Sequence, residues 1–338
     1  MTSITVHNGQ RTEFDFDSIV LNTDYSIFLH CVYDPYNHFD TEFEFLRDPR
    51  LDAKTLVILW HAVEMGHFDP VWMSRLDNIV AKAPYRLVYL TGSQHTPAVN
   101  EYIPHHFSLK FFPVFDIRAQ DLLPTRWPVI TNKSKKFMFL NAKDLTHRRY
   151  VLAQLIKAGL VNDGYVSYQC TEGLVTSTDP GLASIEAQLP IYLDHHDVLS
   201  KLSRKIPNNS YLNIVGETQF NTVPYRYRDC FLTEKTFSSM ANNQLFIVVG
   251  HVHSLRLLKS MGYKTFDSII DESYDDIVDD QQRLTAVTNA IIEFVDRPID
   301  QIAQDYVSVQ DRIDHNRSRL YQQSLQQRLQ ELVDETCT

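Results

Sequence analysis

The sequence has few glycines, few cysteines and no long apolar run, and these deficits exclude several protein classes. Only 10 of its 338 residues are glycine, which excludes collagen-like and glycine-linker architectures. The four cysteines are widely spaced and form no C-x-x-C pair, so we expect reduced thiols. No run of about 18 apolar residues occurs, so we expect no membrane span. The first residues do not resemble a signal peptide, and the expected location is cytoplasmic.

Several catalytic and nucleotide-binding fingerprints are also missing. The sequence contains no G-x-G-x-x-G, no P-loop, no G-x-S-x-G elbow and no H-E-x-x-H. His251 and His253 form an H-x-H pair, and residues 194–197 read Asp-His-His-Asp. A metal-dependent hydrolase built on these histidines is one hypothesis. We favour loop histidines and a helix-capping aspartate instead, and predict no metal site and no cofactor.

Acidic residues exceed basic ones, 42 against 32, giving a net charge of -10. This balance argues against a generally basic nucleic-acid coat protein but leaves room for a local basic groove.

The first 130 residues predict a parallel sheet. Apolar runs rich in β-branched and aromatic residues indicate strands over 26–33, 55–60, 86–90 and 107–115. Apolar residues with helical spacing over 70–81 place a helix between the second and third strands, which is a βαβ unit. Residues 120–132 contain two prolines and predict an interdomain linker.

The second half restarts the alternation of strands and helices. Strands are predicted over 136–140, 164–168, 211–215, 245–249 and 263–266, and helices over 146–158, 197–205, 234–241 and 254–262. Thr146, Thr233 and Ser254 are the expected N-caps, and Gly159 and Pro207 the expected stops. The last 58 residues predict a pair of core-packing helices, with a partner-binding coiled coil as the alternative. The fold class is therefore α/β with a helical tail.

The most informative segment is Phe231-Leu232-Thr233-Glu234-Lys235, which opens a predicted helix and precedes the apolar strand at 245–249. It resembles the donor-binding segment of the family 10 fucosyltransferases and their microbial and viral relatives. That family carries [FY]-x-T-E-K and often a proline where this chain has Gln244-Leu245. The N–H groups of a helix N-terminus favour a diphosphate, and Lys235 adds a cation. Glu234 is suited to accept hydrogen bonds from ribose or sugar hydroxyls.

A second segment, residues 136–155, resembles the same family. There a strand is followed by Asn, a loop and an Arg that starts a helix, positions that Asn141 and Arg148 occupy here. In the family this Arg contacts the donor pyrophosphate, and guanidinium geometry suits such a contact. Arg149 adds to a basic cluster with Lys133, Lys135, Lys136 and His147. Glu217 follows a strand, and Arg226 lies in the loop before the Thr-Glu-Lys segment, so we expect both at the donor.

The resemblance implies a GT-B glycosyltransferase with two Rossmann-like lobes facing each other. The implied divisions are an acceptor lobe over 1–130, a donor lobe over 131–280 and a tail over 281–338. In this fold the N-terminal lobe usually supplies the general base. Glu64 is the first candidate and His95, after the next predicted strand, is the second; His61 and Asp69, which like Glu64 follow the strand at 55–60, are the others.

The resulting hypothesis is an inverting, metal-independent hexosyl- or pentosyltransferase that uses a GDP- or UDP-sugar and a glycan acceptor. One alternative is a phage-type enzyme that glycosylates hydroxymethylated pyrimidines in DNA. Another is an inactive scaffold that binds nucleotide sugars. The sequence does not give the oligomeric state.

Overall fold

The computed structural model describes residues 1–7, 14–16, 18–32, 38–61, 70–92, 103–122, 130–168, 205–221 and 230–337. In this part of the chain, no helix combines the length and apolar character needed to cross a membrane. The chain forms two compact units. Unit 1 comprises Met1–Val114, Val223–Phe231 and Gln323–Thr338, and unit 2 comprises Phe115–Thr222 and Leu232–Gln322.

Unit 1 is built on a six-stranded sheet whose order is β2-β1-β3-β4-β5-β6. Its strands are β1 Thr2–His7, β2 Val20–Leu21, β3 Ser26–Cys31, β4 Thr55–His61, β5 Arg86–Thr91 and β6 Ser108–Phe111. All neighbours pair in parallel except β2, which is antiparallel to β1. The parallel strands follow chain order, as expected for successive crossover connections.

The strand β4 lies in the middle of the sheet of unit 1 and contributes to the core between this sheet and its helices. All seven of its residues are buried, the pattern of a strand covered on both faces. Helix α1 is Phe39–Glu42, and helix α2, Pro70–Val80, adds Met73, Leu76 and Val80 to the cluster that contains Val57 and Leu59. The predicted βαβ unit is therefore present.

The last helix of the chain, α11 (Leu325–Cys337), belongs to unit 1 and covers the exposed edge of β2. Gln330 accepts a hydrogen bond from the N–H of Asn22 at 2.7 Å and donates to its carbonyl at 3.1 Å. Gln326 donates to the carbonyl of Val20 at 3.0 Å. These amides satisfy backbone groups that an edge strand leaves open.

Unit 2 contains a four-stranded parallel sheet of order β10-β9-β7-β8. Its strands are β7 Lys135–Asn141, β8 Gly164–Tyr168, β9 Ser210–Gly216 and β10 Leu245–Val249. The chain first builds outward from β7 to β8, and then returns to the other side of β7 to place β9 and β10. The strand order thus reverses between β7 and β9. In open α/β sheets such a reversal opens a crevice at the carboxyl ends of the strands.

Within the residues that the structure describes, the α-helices of unit 2 are α3 to α10. They are α3 Phe115–Leu122, α4 Thr146–Lys157, α5 Lys205–Asn208, α6 Glu234–Ala241, α7 Ser254–Ser260, α8 Asp280–Val295, α9 Ile299–Ser308 and α10 Gln310–Leu320, with α11 Leu325–Cys337 belonging to unit 1. The tail therefore contains four helices rather than the predicted pair. Its apolar residues are buried as expected, among them Leu284, Ile291, Tyr306 and Ile313.

The predicted strand over 263–266 is wrong, and its backbone bonds explain why. Both backbone groups of Lys264 bond to the side-chain amide of Asn316, each at 2.7 Å. The N–H of Phe266 donates to Glu272 at 2.7 Å. A buried asparagine on α10 thus takes the place of a neighbouring strand. The sequence shows Asn316 only as a gap in an apolar seam.

Several predicted boundaries and caps also differ. The strand predicted over 107–115 ends at Phe111, because Pro113 follows and α3 begins at Phe115. Leu145 and His253 occupy the N-cap positions at which Thr146 and Ser254 were expected. Pro207 lies inside the short helix α5 rather than after a helix. Gly159, with φ +73°, ends α4 as predicted.

The two units divide the chain differently from the expected boundaries. Helix α3 includes Gln120, the first residue of the predicted linker, and belongs to unit 2. There the side chain of Gln120 donates a hydrogen bond to the carbonyl of Leu320 at 2.5 Å. Helices α8 to α10 pack with unit 2, and only α11 belongs to unit 1. In the structure, the first segment of unit 1 ends at Val114 and unit 2 begins at Phe115.

A glycine on β8 is required by the ring beside it. A Cβ at Gly164 would lie 2.5 Å from ring atoms of Phe137, its partner across the β7–β8 pair, which is fully buried. We expect Gly164→Ala to lower the free energy of unfolding by about 1–3 kcal/mol through overpacking. Denaturant unfolding measures this. Gly159→Ala, where the added Cβ meets open space, should cost only about 1 kcal/mol, and an equal loss in both variants would contradict the packing explanation.

Candidate functional site

The carboxyl ends of β7 and β9 bring together Asn141, Gly216 and Arg148. Asn141 is the last residue of β7 and Gly216 the last of β9, while Arg148 lies in the first turn of α4. Asn141 is 4% exposed, and within the described residues its amide nitrogen has no hydrogen-bond partner. A buried amide donor at the point where the strand order reverses indicates a site for a polar ligand.

Gly216 is needed so that the Arg148 side chain can lie across the end of β9. A Cβ at this position would lie 2.9 Å from Cγ of Arg148 and 2.9 Å from Oδ1 of Asn141. Arg148 is 3% exposed, and its Nη1 donates to the carbonyl of Lys143 at 3.4 Å. A guanidinium at a helix N-terminus combines its charge with the positive end of the helix dipole, which suits a phosphate group.

Arg149 has a different role from its neighbour. Its guanidinium forms a bidentate ion pair with the carboxylate of Asp144, which also accepts a hydrogen bond from the hydroxyl of Tyr168. The side chain is buried and holds the loop after β7 against β8. This placement assigns Arg149 to the support of the loop rather than to contact with a donor.

The residues of the predicted basic cluster lie at opposite ends of the strand β7. Lys133, Lys135 and Lys136 lie at the amino end of β7, whereas Arg148 lies beyond its carboxyl end. Lys133 is buried, donates to the carbonyl of Ser210 at 3.0 Å, and has its pKa lowered to about 7 by burial. Lys136 pairs with Asp163 at 2.7 Å. The extended strand β7 therefore separates residues that are close in the sequence.

Glu217 follows β9 directly and is completely buried. Its Oε1 accepts hydrogen bonds from the N–H of Thr233 at 3.0 Å and the hydroxyl of Thr236 at 2.6 Å. Its Oε2 accepts one from the hydroxyl of Thr233 at 2.7 Å. Both carboxylate oxygens are thus committed to the start of α6, and Glu217 supports this helix instead of reaching a sugar.

The N-terminus of α6 carries the predicted Thr-Glu-Lys segment. Thr233 is the N-cap, as predicted, and its hydroxyl oxygen accepts a hydrogen bond from the N–H of Lys235 at 3.4 Å. The ammonium of Lys235 donates to the same oxygen at 3.0 Å and lies 3.3 Å from Oε1 of Glu234. Glu234 and Lys235 keep about one fifth of their side-chain surface exposed, which leaves both accessible to a ligand.

His147 connects the start of α4 to the loop after β9. Its Nε2 donates to the carbonyl of Glu217 at 2.8 Å, and its ring stacks on Phe220 at 5.0 Å. The guanidinium of Arg283 lies 4.6 Å from the other partner in this stack, the ring of Phe220. Burial lowers the pKa of His147 to about 4, so the imidazole is neutral near pH 7. No sequence pattern indicates the roles of Phe220 and Arg283.

The candidate bases of unit 1 are placed only in part. His61 ends β4, is buried, and its Nδ1 is hydrogen-bonded to the hydroxyl of Tyr89 on β5. Glu64, Asp69 and His95, and Arg226 among the donor residues, lie outside the described residues.

The histidine pair after β10 does not form a shared site. His251 is buried and its Nδ1 bonds to the carbonyl of Val252 at 2.9 Å. Potential ligand atoms of His253, Asp275 and Asp276 lie within 4.8 Å of one another. Both oxygens of Asp275, however, accept N–H groups of α7, each at 2.9 Å. The run at 194–197 lies outside the described residues.

Comparisons with solved structures give a structural likeness. No family model matches the chain, and no curated protein matches it. Among solved structures, it is similar to the DNA modifying enzyme beta-glucosyltransferase, determined in the presence and absence of uridine diphosphoglucose. The likeness covers 92% of this chain and 82% of that one, at 11% identity and a TM-score of 0.44. A likeness at this level supports no conclusion about the substrate or reaction of this chain.

The lowered pKa of His147 predicts acid sensitivity. The unfolded chain takes up this proton near pH 6.5, whereas the folded chain resists it until about pH 4. The neutral imidazole of His147 therefore makes its full contribution to the free energy of unfolding above pH 6.5, and this contribution is lost as the pH falls towards 4. We expect this residue to account for a loss of on the order of 3 kcal/mol between pH 7 and pH 4.

Denaturant unfolding at several pH values measures this effect. His147→Gln keeps an N–H donor for the carbonyl of Glu217 but does not titrate, so its stability should fall less steeply below pH 6.5. Parallel pH profiles for the two proteins would show that His147 does not carry the effect.

Proposed function

We propose that this chain is a glycosyltransferase in which unit 2 binds a nucleoside diphosphate sugar. The observation that carries the proposal is the cluster of Asn141, Arg148 and Gly216 where the strand order reverses. Such crevices bind nucleotides in open α/β sheets. The N-terminus of α6, with Lys235 and Glu234, supplies a second set of phosphate-binding and hydroxyl-binding groups. The resemblance of both segments to family 10 fucosyltransferases supports this proposal.

The proposed reaction is a single displacement with inversion. The bond between the anomeric carbon and the diphosphate oxygen breaks, and its electron pair leaves with the diphosphate. The acceptor hydroxyl oxygen bonds to the anomeric carbon from the opposite face, while a base removes its proton. Arg148 and Lys235 stabilise the negative charge that develops on the leaving diphosphate, the task that a metal ion performs in other enzymes. We therefore propose metal-independent transfer.

Unit 1 is the proposed acceptor unit, and a glycan is the proposed acceptor. The net charge of -10 disfavours a polyanionic acceptor such as DNA. Glu64 remains the first candidate for the base. Among the described residues His61 is the candidate, because it ends a strand and its ring is oriented by Tyr89.

A nucleotide panel tests the proposal directly. Thermal unfolding is followed with GDP, UDP and their sugars in the presence of EDTA. A ligand at 100 times its dissociation constant stabilises the folded chain by about 2.7 kcal/mol, which raises Tm by a few degrees. We expect one nucleoside diphosphate to give this shift and Arg148→Ala and Lys235→Ala to abolish it. No shift with any nucleotide would refute the proposal.

Transfer is then assayed with the nucleotide sugar that binds. Glycans and hydroxymethylated DNA are offered side by side as acceptors. If only the glycans yield product, the result supports the proposed acceptor. If only the hydroxymethylated DNA yields product, DNA replaces the glycan as the acceptor.

Gly216 provides a sharper test of the binding geometry. In Gly216→Ala the new Cβ must displace Arg148 or Asn141, so we expect the dissociation constant for the nucleoside diphosphate to rise about tenfold or more. Isothermal titration calorimetry measures it. Gly164→Ala is the matched control, because it also overpacks a strand of the same sheet but lies at the amino end of β8. Equal affinities in the two variants would contradict a site at Gly216.

A further inference from the structure

The geometry points to Glu217 as the positioning residue that couples the two cationic helix starts of the donor site. We propose that its buried carboxylate and its carbonyl together fix the positions of Lys235 on α6 and of Arg148 on α4. This inference rests on the proposed function, because it assigns both cations to one diphosphate. It goes beyond that function by naming a residue that acts through others.

The link to Lys235 is a relay through one hydroxyl. The hydroxyl of Thr233 has a single proton, which it donates to Oε2 of Glu217 at 2.7 Å. Its lone pairs are thereby left to face Lys235, whose ammonium donates to the same oxygen at 3.0 Å. Because the carboxylate of Glu217 accepts the proton of the Thr233 hydroxyl, the oxygen of that hydroxyl is oriented to accept the hydrogen bond from Lys235.

The link to Arg148 runs through the backbone of Glu217. Its carbonyl accepts a hydrogen bond from His147, the residue before Arg148, at 2.8 Å. Its N–H donates to the carbonyl of Val249 on β10 at 3.0 Å. A single residue thus joins the first turn of α4, the first turn of α6 and the edge strand β10. A displacement of Glu217 would therefore change the distance between the cationic groups of Arg148 and Lys235.

Complete burial makes the charge of Glu217 costly unless it is fully hydrogen-bonded. Three donors from α6 meet that need, two hydroxyl groups and one backbone N–H. A carboxylate in this position therefore favours only those arrangements in which α6 begins at Thr233. This restriction explains how the helix start is held ready before a ligand binds.

Glu217→Gln is the decisive variant, because it preserves shape and reverses one hydrogen bond. Its amide N–H₂ donates to Thr233 where the carboxylate accepted, and the hydroxyl proton then points away from residue 217, towards Lys235. We expect the affinity for the nucleoside diphosphate to fall about tenfold or more. The affinity for the corresponding nucleoside should stay unchanged, because only the phosphate contacts move.

Glu272→Gln is the matched control within the same unit. Glu272 accepts the N–H of Phe266 and the hydroxyl of Thr265, each at 2.7 Å, and an ammonium from Lys259 at 3.1 Å. It therefore repeats the chemistry of Glu217 away from Arg148 and Lys235. Both variants should lose stability, but only Glu217→Gln should lower the ratio of diphosphate to nucleoside affinity, measured by calorimetry.

A second pair of variants keeps the test valid if Glu217→Gln does not fold. Thr233→Val removes the relay hydroxyl and should lower the same ratio, whereas Thr233→Ser keeps the hydroxyl and should restore it. A wild-type protein that binds no nucleoside diphosphate would overturn both the proposed function and this inference. A wild type that binds, with the ratio unchanged in Glu217→Gln or in Thr233→Val, would overturn the coupling alone.

Discussion

The hydrogen bonds of one buried carboxylate hold together the elements at the carboxyl ends of the strands in unit 2. Glu217 follows β9 and receives donors from the start of α6, while its backbone bonds to β10 and to His147 on α4. A charge without solvent has few favourable arrangements, so the elements that satisfy it are held in one geometry. The candidate ligand site lies directly beside this network.

The buried arginines show how the same residue type serves structure and binding in one unit. Arg283 is almost fully buried and donates to the carbonyls of Phe220 and Gly250. Arg149 is held by Asp144. These guanidinium groups stabilise loops that carry no regular structure. Arg148 instead lies over Gly216, at the crevice where an anion would bind.

Side-chain amides complete the backbone hydrogen bonding in both units. Gln326 and Gln330 bond to the edge of β2 in unit 1, and Asn316 takes both backbone groups of Lys264 in unit 2. Each amide offers a donor and an acceptor, as a peptide group does. Polar residues that interrupt an apolar helix pattern therefore mark contacts of the helical tail rather than defects in its packing.

Local patterns in the amino-acid sequence are sufficient to locate several strands and one helix start. Apolar runs located the strands β4, β5, β7 and β10, and the N-cap preference of threonine correctly placed the start of α6 at Thr233. Asn141 and Arg148 also lie close together, because a strand, a loop and a helix that are consecutive in the chain carry them. These features depend on contacts within about ten residues, which a sequence pattern records directly.

Contacts between distant segments of the chain determine which polar residues meet and which are separated. Lys133 and Arg148 lie beyond opposite ends of β7, because this strand runs between them, although they are only 15 positions apart in the sequence. The reversal of strand order brings Gly216 next to Arg148, and the packing of α6 turns Glu217 from a ligand candidate into a helix support. Hydrogen bonds and burial between distant segments determine these roles, and no local pattern encodes distances between segments that only folding brings together.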